Sequence, residues 1–382
     1  MLALMAFAIS GQTYSGSALA QTFDTKAPHA VLMDAETGTI LFTKDADVRI
    51  PPASLAKLMT MEVVFNRLKS GSLSLTDQFL VSENAWRTGG ANSGGSTMFA
   101  KLKSEIALQD LIRGVIIQSA NDGCIIIAEG MAGSEEAFSA IMNERARAIG
   151  LKDSFFTNST GLPDERQYVS VNDLAKLAQH MIREYPEYYK YYSETEFEWN
   201  GILQRNRNPL LGMNINADGM KTGYTEASGY AIVGSAVRDG QRLITAMSGM
   251  TSTNERAEEA RKILDWGFRA FERLNIFDEM DVVGSVGVYG GEVSAVDVTG
   301  KGPIEIYLPV GSRDKMQARV AYNYPLMPPI QKGDQVATLK IWIGDKLSQE
   351  TPLYAMNDVG KGSLTRRATD ALKELMTSWI PQ

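Results

Sequence analysis

The chain has a single cysteine, Cys124, so no intramolecular disulfide can staple it. It lies in an apolar run with Ile125, Ile126 and Ile127, where a buried structural thiol is expected. There are only two histidines, His29 and His180. A Ser-His-Asp triad needs a positioned imidazole. His29 falls near the start of the chain, and His180 sits in a helical pattern with Leu174, Leu177, Ala178, Met181 and Ile182. If a serine acts here, a lysine is the better candidate base. Two distant histidines and one cysteine also form no metal-ligand cluster, and no cofactor is implied. There is no long basic run and the net charge is -7, which argues against nucleic acid as a partner.

What is present is an ordinary globular composition over 382 residues, enough for two domains. Residues 1-20 differ from the rest. Met1 to Ile9 is a short uncharged apolar run, too short to span a bilayer, and it leads to the cleavage-like Ala18-Leu19-Ala20. No Lys or Arg precedes the run, a departure from the usual signal peptide. The expectation is export, with a mature chain beginning near Gln21.

From Ala30 the pattern reads as a hairpin, with strands at Val31 to Met33 and Ile40 to Phe42 around a Glu36-Thr37-Gly38 turn. Helical patterns follow at Leu108 to Ile117, Gly123 to Ala132, Glu135 to Ile149 and Val171 to Glu184. Strand patterns return at Glu196 to Trp199, Met220 to Thr222, Tyr230 to Val237 and Arg242 to Met247. A last helix is expected from Asn254 to Leu274. This order predicts an α+β domain over residues 21-274, with helices packed on a mainly antiparallel sheet. Residues 275-358 show short alternating runs broken by Gly, Pro and Asp, which predict a small all-β domain of sandwich type. Residues 359-382 carry an amphipathic helix, apolar at Leu364, Ala368, Ala371, Leu372, Leu375 and Trp379. It would lie on a membrane surface, and a homo-oligomer would reinforce so modest an anchor.

Three short motifs carry the chemistry. In Ser54-Leu55-Ala56-Lys57, serine and lysine share one helical face, so a neutral lysine would take the serine proton. Ser119-Ala120-Asn121 places a hydroxyl and a carboxamide in a connection between helices. Lys221-Thr222-Gly223 sets a cation and a hydroxyl suited to a carboxylate beside a glycine that admits a close backbone approach. Each is weak alone; S-x-x-K, for example, is common on exposed helical faces. Their order is that of S-x-x-K, S-D-N and K-T-G in penicillin-binding proteins and class A β-lactamases. With Ser119-Ala120-Asn121-Asp122, Asn206-Arg207-Asn208 and Asp218-Gly219-Met220 added, the chain resembles the serine D-alanyl-D-alanine carboxypeptidases, the low-molecular-mass penicillin-binding proteins, over nearly its whole length.

That resemblance implies a penicillin-binding/β-lactamase-like fold and removal of the terminal D-alanine from peptidoglycan stem peptides, with β-lactams acylating the same serine. Carried over residue by residue, Ser54 is the nucleophile, Lys57 its base, and Ser119 a proton relay. Asn121, Lys221, Thr222, Gly223 and Tyr224 line the substrate site. Arg256 binds the terminal carboxylate, and Arg207 stands near the cleft. The oxyanion hole falls to the backbone N–H groups of Ser54 and Tyr224. The resemblance also implies the periplasmic face of the cytoplasmic membrane. Ala120 departs from the Gly of many relatives, and Tyr224 from the His or Thr of some; both bear on deacylation. A D,D-endopeptidase, a β-lactamase and a non-catalytic penicillin-binding sensor or scaffold stay open as alternatives. The β-lactamase would need a deacylating glutamate, but Glu196-Phe197-Glu198-Trp199-Asn200 alternates as a strand.

Overall fold

The computed structural model describes residues 23-377. The expected signal peptide, and the end of the terminal helix with Trp379, lie outside the described residues. Strands β1 (His29–Asp34) and β2 (Ile40–Lys44) form the expected hairpin. A tight turn at Ala53–Ala56 runs directly into helix α1 (Lys57–Lys69). A two-stranded ribbon, β3 (Gln78–Leu80) with β4 (Glu105–Ala107), closes the base of the Gly- and Asn-rich loop. Helices α2 (Leu108–Ile117), α3 (Asn121–Ala132), α4 (Glu135–Ile149), α5 (Val171–Glu184) and the short α6 (Pro186–Tyr189) follow. Serines begin the longer later helices: Ser134 and Ser170 each accept from the N–H three residues on.

Next come the hairpin of β5 (Glu196–Trp199) and β6 (Ile202–Arg205), then a meander of β7 (Ala217–Thr225), β8 (Gly229–Arg238) and β9 (Gln241–Met250). The glutamate segment weighed as a deacylating loop is therefore a strand, with Phe197 turned inward. The main sheet has the order β2-β1-β9-β8-β7, antiparallel throughout. It is covered on both faces. Val31 and Met33 join the large core under the helices, while Ala30 and Leu32 join a second core under helix α7 (Thr253–Ala270). Strand β7, which carries the third motif, lies at the sheet edge.

The last catalytic-domain helix was expected to reach Leu274; it stops at Ala270. Phe271 opens strand β10 (Phe271–Phe277), which pairs with β13 (Ile304–Pro309). Phe268 and Phe271 suit a helical face, but from Arg273 onward the alternation wins. Leu274 and Ile276 turn into the β core, and Arg273 pairs with Glu305. A five-stranded sheet faces this pair. Its strands are β11 (Gly284–Gly287), β12 (Ala295–Thr299), β14 (Met316–Ala321), β15 (Gln335–Ile343) and β16 (Lys346–Ala355), in the order β11-β12-β16-β15-β14. Val286, Val298, Ile306, Leu308, Leu339, Ile341 and Leu353 fill the space between the two sheets. Helix α8 (Leu364–Thr377) ends the described chain and touches the β domain where Asp370 accepts from the Gly290 N–H.

A buried ion pair holds α1 in place. Glu62 is fully buried, and its carboxylate accepts from Arg145 on α4 at 2.6 Å and from the Tyr185 hydroxyl at 3.0 Å; His180 Nε2 lies 3.4 Å away. Burial alone would raise its pKa, but the bonds from His180 and Arg145 and the Arg145 charge hold it below the ordinary value. Breaking such a pair strands the remaining charge. Glu62→Ala is expected to destabilise the catalytic domain by about 3 kcal/mol, the low end for such pairs because Arg145 keeps contact with water. Denaturant unfolding measures it.

Candidate active site

The first motif spans the junction between the Ala53–Ala56 turn and α1. Ser54 is half-buried and Lys57 is buried beneath it. Lys57 Nζ lies 3.1 Å from Ser54 Oγ, 2.8 Å from Asn121 Oδ1 and 2.5 Å from the Thr160 carbonyl oxygen. Two of these partners only accept. A neutral amine has two N–H bonds and one lone pair. With both N–H bonds spent on Asn121 and Thr160, the lone pair faces the Ser54 hydroxyl.

The second motif sits where α2 hands over to α3. Ser119 takes φ 64°, a left-handed conformation rare for a residue with a side chain, and such strain concentrates at active sites. Among the described residues its buried hydroxyl has no hydrogen-bond partner, and it lines the cleft. Asn121 Oδ1 is committed to Lys57, which leaves the carboxamide N–H donors free to take a substrate carbonyl.

The third motif runs along β7, with Lys221 and Thr222 nearly buried. A Cβ on Gly223 would stand 3.2 Å from Ala53 Cβ and 3.3 Å from Ser54 N, so the strand presses on the nucleophile's own turn. A side chain there would crowd that approach, which glycine leaves open. Burial pushes Lys221 well below the ordinary lysine value, with the charges of Lys57 and Arg207 adding to it. Lys57 is lowered to about 8, chiefly by burial; Cys124 opposes the shift, the charge of Arg207 adds to it, and Glu135 and Asp122 oppose it more weakly.

Ser54, Ser119, Arg207, Thr222, Gly223, Tyr224 and Arg256 line one cleft of ≈ 740 Å³. Arg207 Nη1 donates to Ser96 Oγ at 2.6 Å, steadied by Asn206, whose amide donates to the Glu194 carbonyl. Lys57, Asn121 and Lys221 sit behind this wall, buried. Neither histidine lines the cleft; Cys124 is buried, with its thiol pushed up to about 12 by burial.

Three contributors escaped the sequence reading. The Asn158–Gly161 loop supplies the Thr160 carbonyl. Asn158 Oδ1 shapes it by accepting from the N–H groups of Thr160 and Gly161, and Thr60 on α1 donates to the Ser159 carbonyl. Gly161 has φ +79°, and a Cβ there would stand 1.8 Å from the Ala53 oxygen. The Asn-Ser-Thr-Gly composition signals a turn but not a catalytic one. Asp122 holds the far wall, accepting from the N–H groups of Met98 and Ala100 and from the Thr97 hydroxyl. Tyr230, the third, also lines the cleft.

A serine activated by a lysine, on helices packed against an antiparallel sheet whose edge strand carries K-T-G, defines an acyl-transfer protein of the penicillin-binding fold. Residues 16–252 match the family model for D-alanyl-D-alanine carboxypeptidase, and residues 271–361 match the C-terminal domain of penicillin-binding protein 5. The chain belongs to the D-alanyl-D-alanine carboxypeptidase family. It is 36% identical to the D-alanyl-D-alanine carboxypeptidase DacA of Escherichia coli, over 92% of this chain and 88% of the relative. It is 37% identical to its Haemophilus influenzae counterpart over 90% and 87%. The crystal structure of penicillin-binding protein 5 from Haemophilus influenzae superposes with a TM-score of 0.82 at 37% identity, covering 89% of this chain and 99% of that one.

The Lys57 titration is directly measurable. With ¹³Cε-labelled lysine, the Lys57 resonance is expected to titrate with a midpoint near pH 8. Removing a neighbouring positive charge stabilises the ammonium, so Arg207→Ala should move that midpoint up. A midpoint at the ordinary lysine value would exclude the neutral amine.

Proposed function

We propose that the chain is a serine-type D-Ala-D-Ala carboxypeptidase that removes the terminal D-alanine from peptidoglycan stem pentapeptides, and that β-lactams acylate the same serine. The observation that carries this is the Lys57 amine, with two carbonyl acceptors on its N–H bonds and the Ser54 hydroxyl on its lone pair.

Ser54 Oγ attacks the carbonyl of the penultimate D-alanine as its proton passes to Lys57 Nζ. The N–H groups of Ser54 and Tyr224 receive the developing oxyanion. The free Ser119 hydroxyl relays a proton to the leaving nitrogen, the C–N bond breaks, and D-alanine departs. Water then hydrolyses the ester. Asn121 holds the acyl-side carbonyl, while Thr222 and Arg256, with Lys221 behind, hold the terminal carboxylate. Arg207 adds positive charge at the rim.

Acylation should rise with pH in a one-proton limb and level off above about 8, because the base must be neutral. Ser54→Ala is expected to abolish both D-alanine release from a pentapeptide ending in D-Ala-D-Ala and the covalent penicillin adduct, read by mass spectrometry. Rapid penicillin turnover with no lasting adduct would favour a β-lactamase instead.

The proposed location is the periplasmic face of the cytoplasmic membrane, reached by export and held peripherally by the terminal helix. Leu364, Ala368 and Leu372 support this: they recur every four residues along α8 and are exposed rather than packed on the β domain. Among the described residues no helix is long and apolar enough to cross a membrane. Protein lacking residues 359-382 should lose sedimentation with phosphatidylglycerol-containing vesicles while keeping its D-alanine release. Retained sedimentation would place the membrane contact elsewhere.

A further inference from the structure

Four partly buried arginines of this domain are tied to acids. Arg145, Arg113, Arg238 and Arg242 are each paired with a carboxylate, on Glu62, Glu194, Asp265 and Asp218. These pairs tie elements together, and their charge is cancelled. Arg256 is different. It is only 8% exposed, its Nε is buried without a hydrogen-bond partner, and among the described residues it makes no ion pair. What it has is the ring of Tyr230, whose centroid lies 5.6 Å from the guanidinium carbon.

A buried cation needs something to hold it, and the choice of holder decides what it can do. A carboxylate would fix the guanidinium but cancel its charge, and would compete with a substrate carboxylate for its donors. An aromatic face attracts the cation through its quadrupole and occupies none of the N–H donors. Tyr230 is itself held. It is the direct cross-strand partner of Tyr224, and the two ring centroids lie 4.3 Å apart. Tyr224 is 52% exposed, and all three side chains line the cleft that contains Ser54. Among the described residues the Tyr230 hydroxyl makes no hydrogen bond, which leaves the ring as the operative part.

We propose that Tyr230 is the positioning residue of the carboxylate subsite, its ring holding the Arg256 guanidinium in the cleft with its charge uncompensated, and Tyr224 backing that ring. This rests on the reading of Arg256 as the ligand of the substrate's terminal carboxylate. The prediction concerns discrimination, not reactivity. Tyr230 should matter for acyl donors whose leaving group ends in a carboxylate, and hardly at all for the same donors with that group neutralised.

The test uses the full chain and a matched pair of peptidyl thioesters, one with a leaving group ending in a free carboxylate and one with that carboxylate methylated. The thioester is reactive enough for Ser54 acylation to be followed with both. The measured quantity is the ratio of kcat/KM between the two donors, for wild type, Tyr230→Phe, Tyr230→Leu and Arg256→Ala. Phenylalanine keeps the ring, so its ratio should match wild type. Leucine should lower the ratio roughly 10-fold, through KM for the carboxylate donor with kcat little changed, a loss within the range of a desolvated cation–π contact. Arg256→Ala should collapse the ratio.

If Arg256→Ala collapses the ratio and Tyr230→Leu leaves it at the wild-type value, the proposal fails and the reading of Arg256 stands. If Arg256→Ala leaves the ratio unchanged, the reading of Arg256 fails and takes the proposal with it. If Tyr230→Leu slows both donors equally and lowers the melting temperature, Tyr230 is a packing residue only, and the proposal is overturned.

Discussion

Everything in the cleft is arranged around one amine. Lys57 Nζ is enclosed by three oxygens, and the two that can only accept come from different parts of the fold, the head of α3 and the Asn158–Gly161 loop. The third is the hydroxyl of Ser54, the proposed nucleophile. A lysine on a flexible stem would otherwise sample many rotamers and stay hydrated and charged. Burial removes the water, and the two carbonyls fix the direction of what remains. The same enclosure makes the amine a weak base by lysine standards, with a pKa near the pH at which it must work.

That enclosure demands close backbone approach, which explains the unusual conformations around it. Ala53 and Ser119 both have positive φ, Gly161 leaves no room for a Cβ against the Ala53 carbonyl, and Gly223 sits tightly against the Ala53–Ser54 turn. Strain of this kind costs on the order of 1–3 kcal/mol per residue and persists only where the surroundings over-determine it. Here they do. Glu62 ties α1 to α4 and α5, Asp122 ties α3 to the far wall, and Asn158 shapes the loop beneath Lys57. The ion pairs and caps that look merely structural set the geometry around the Lys57 amine.

Much of this was legible in the sequence. Helices α2, α4 and α5 lie where the periodicity put them, because long amphipathic patterns admit few other readings. The motifs at Ser54, Ser119 and Lys221 do converge on one site, and their order gave the family. The scarcity of histidine pointed to lysine before any geometry was known. What was not legible depends on contacts distant in sequence. Thr160 acts through its backbone carbonyl, which no side-chain motif reports. The structural value of Asp122 lies in which N–H groups it meets. Tyr230 reads as an ordinary strand residue until the register sets it beside Tyr224 and the fold brings Arg256 over its ring. The end of α7 was misread because Phe268 and Phe271 satisfy a helix, while the pairing partner that claims Phe271 for a strand lies at Pro309.

The place of β7 at the sheet edge joins these points. An edge strand leaves one row of backbone groups unpaired, a liability that proteins usually cover or blunt. In this domain that row runs along the cleft, beside the serine. An extended peptide aligned with it would find backbone partners along Lys221 to Tyr224 without requiring any particular side chain, so recognition by the strand is generic. Selectivity must then come from the ends. At one end stand buried, uncompensated cations that suit a terminal carboxylate; at the other, Asn121 offers donors to a carbonyl. Such a site measures the distance from a free carboxylate to an amide one residue away, which is how a carboxypeptidase differs from an enzyme that cuts within a chain. Under the proposed reading, the positive charge that Arg256 keeps is part of the reaction's specificity, and pairing it with an acid, as the domain does with the partly buried Arg145 and Arg242, would erase that distinction.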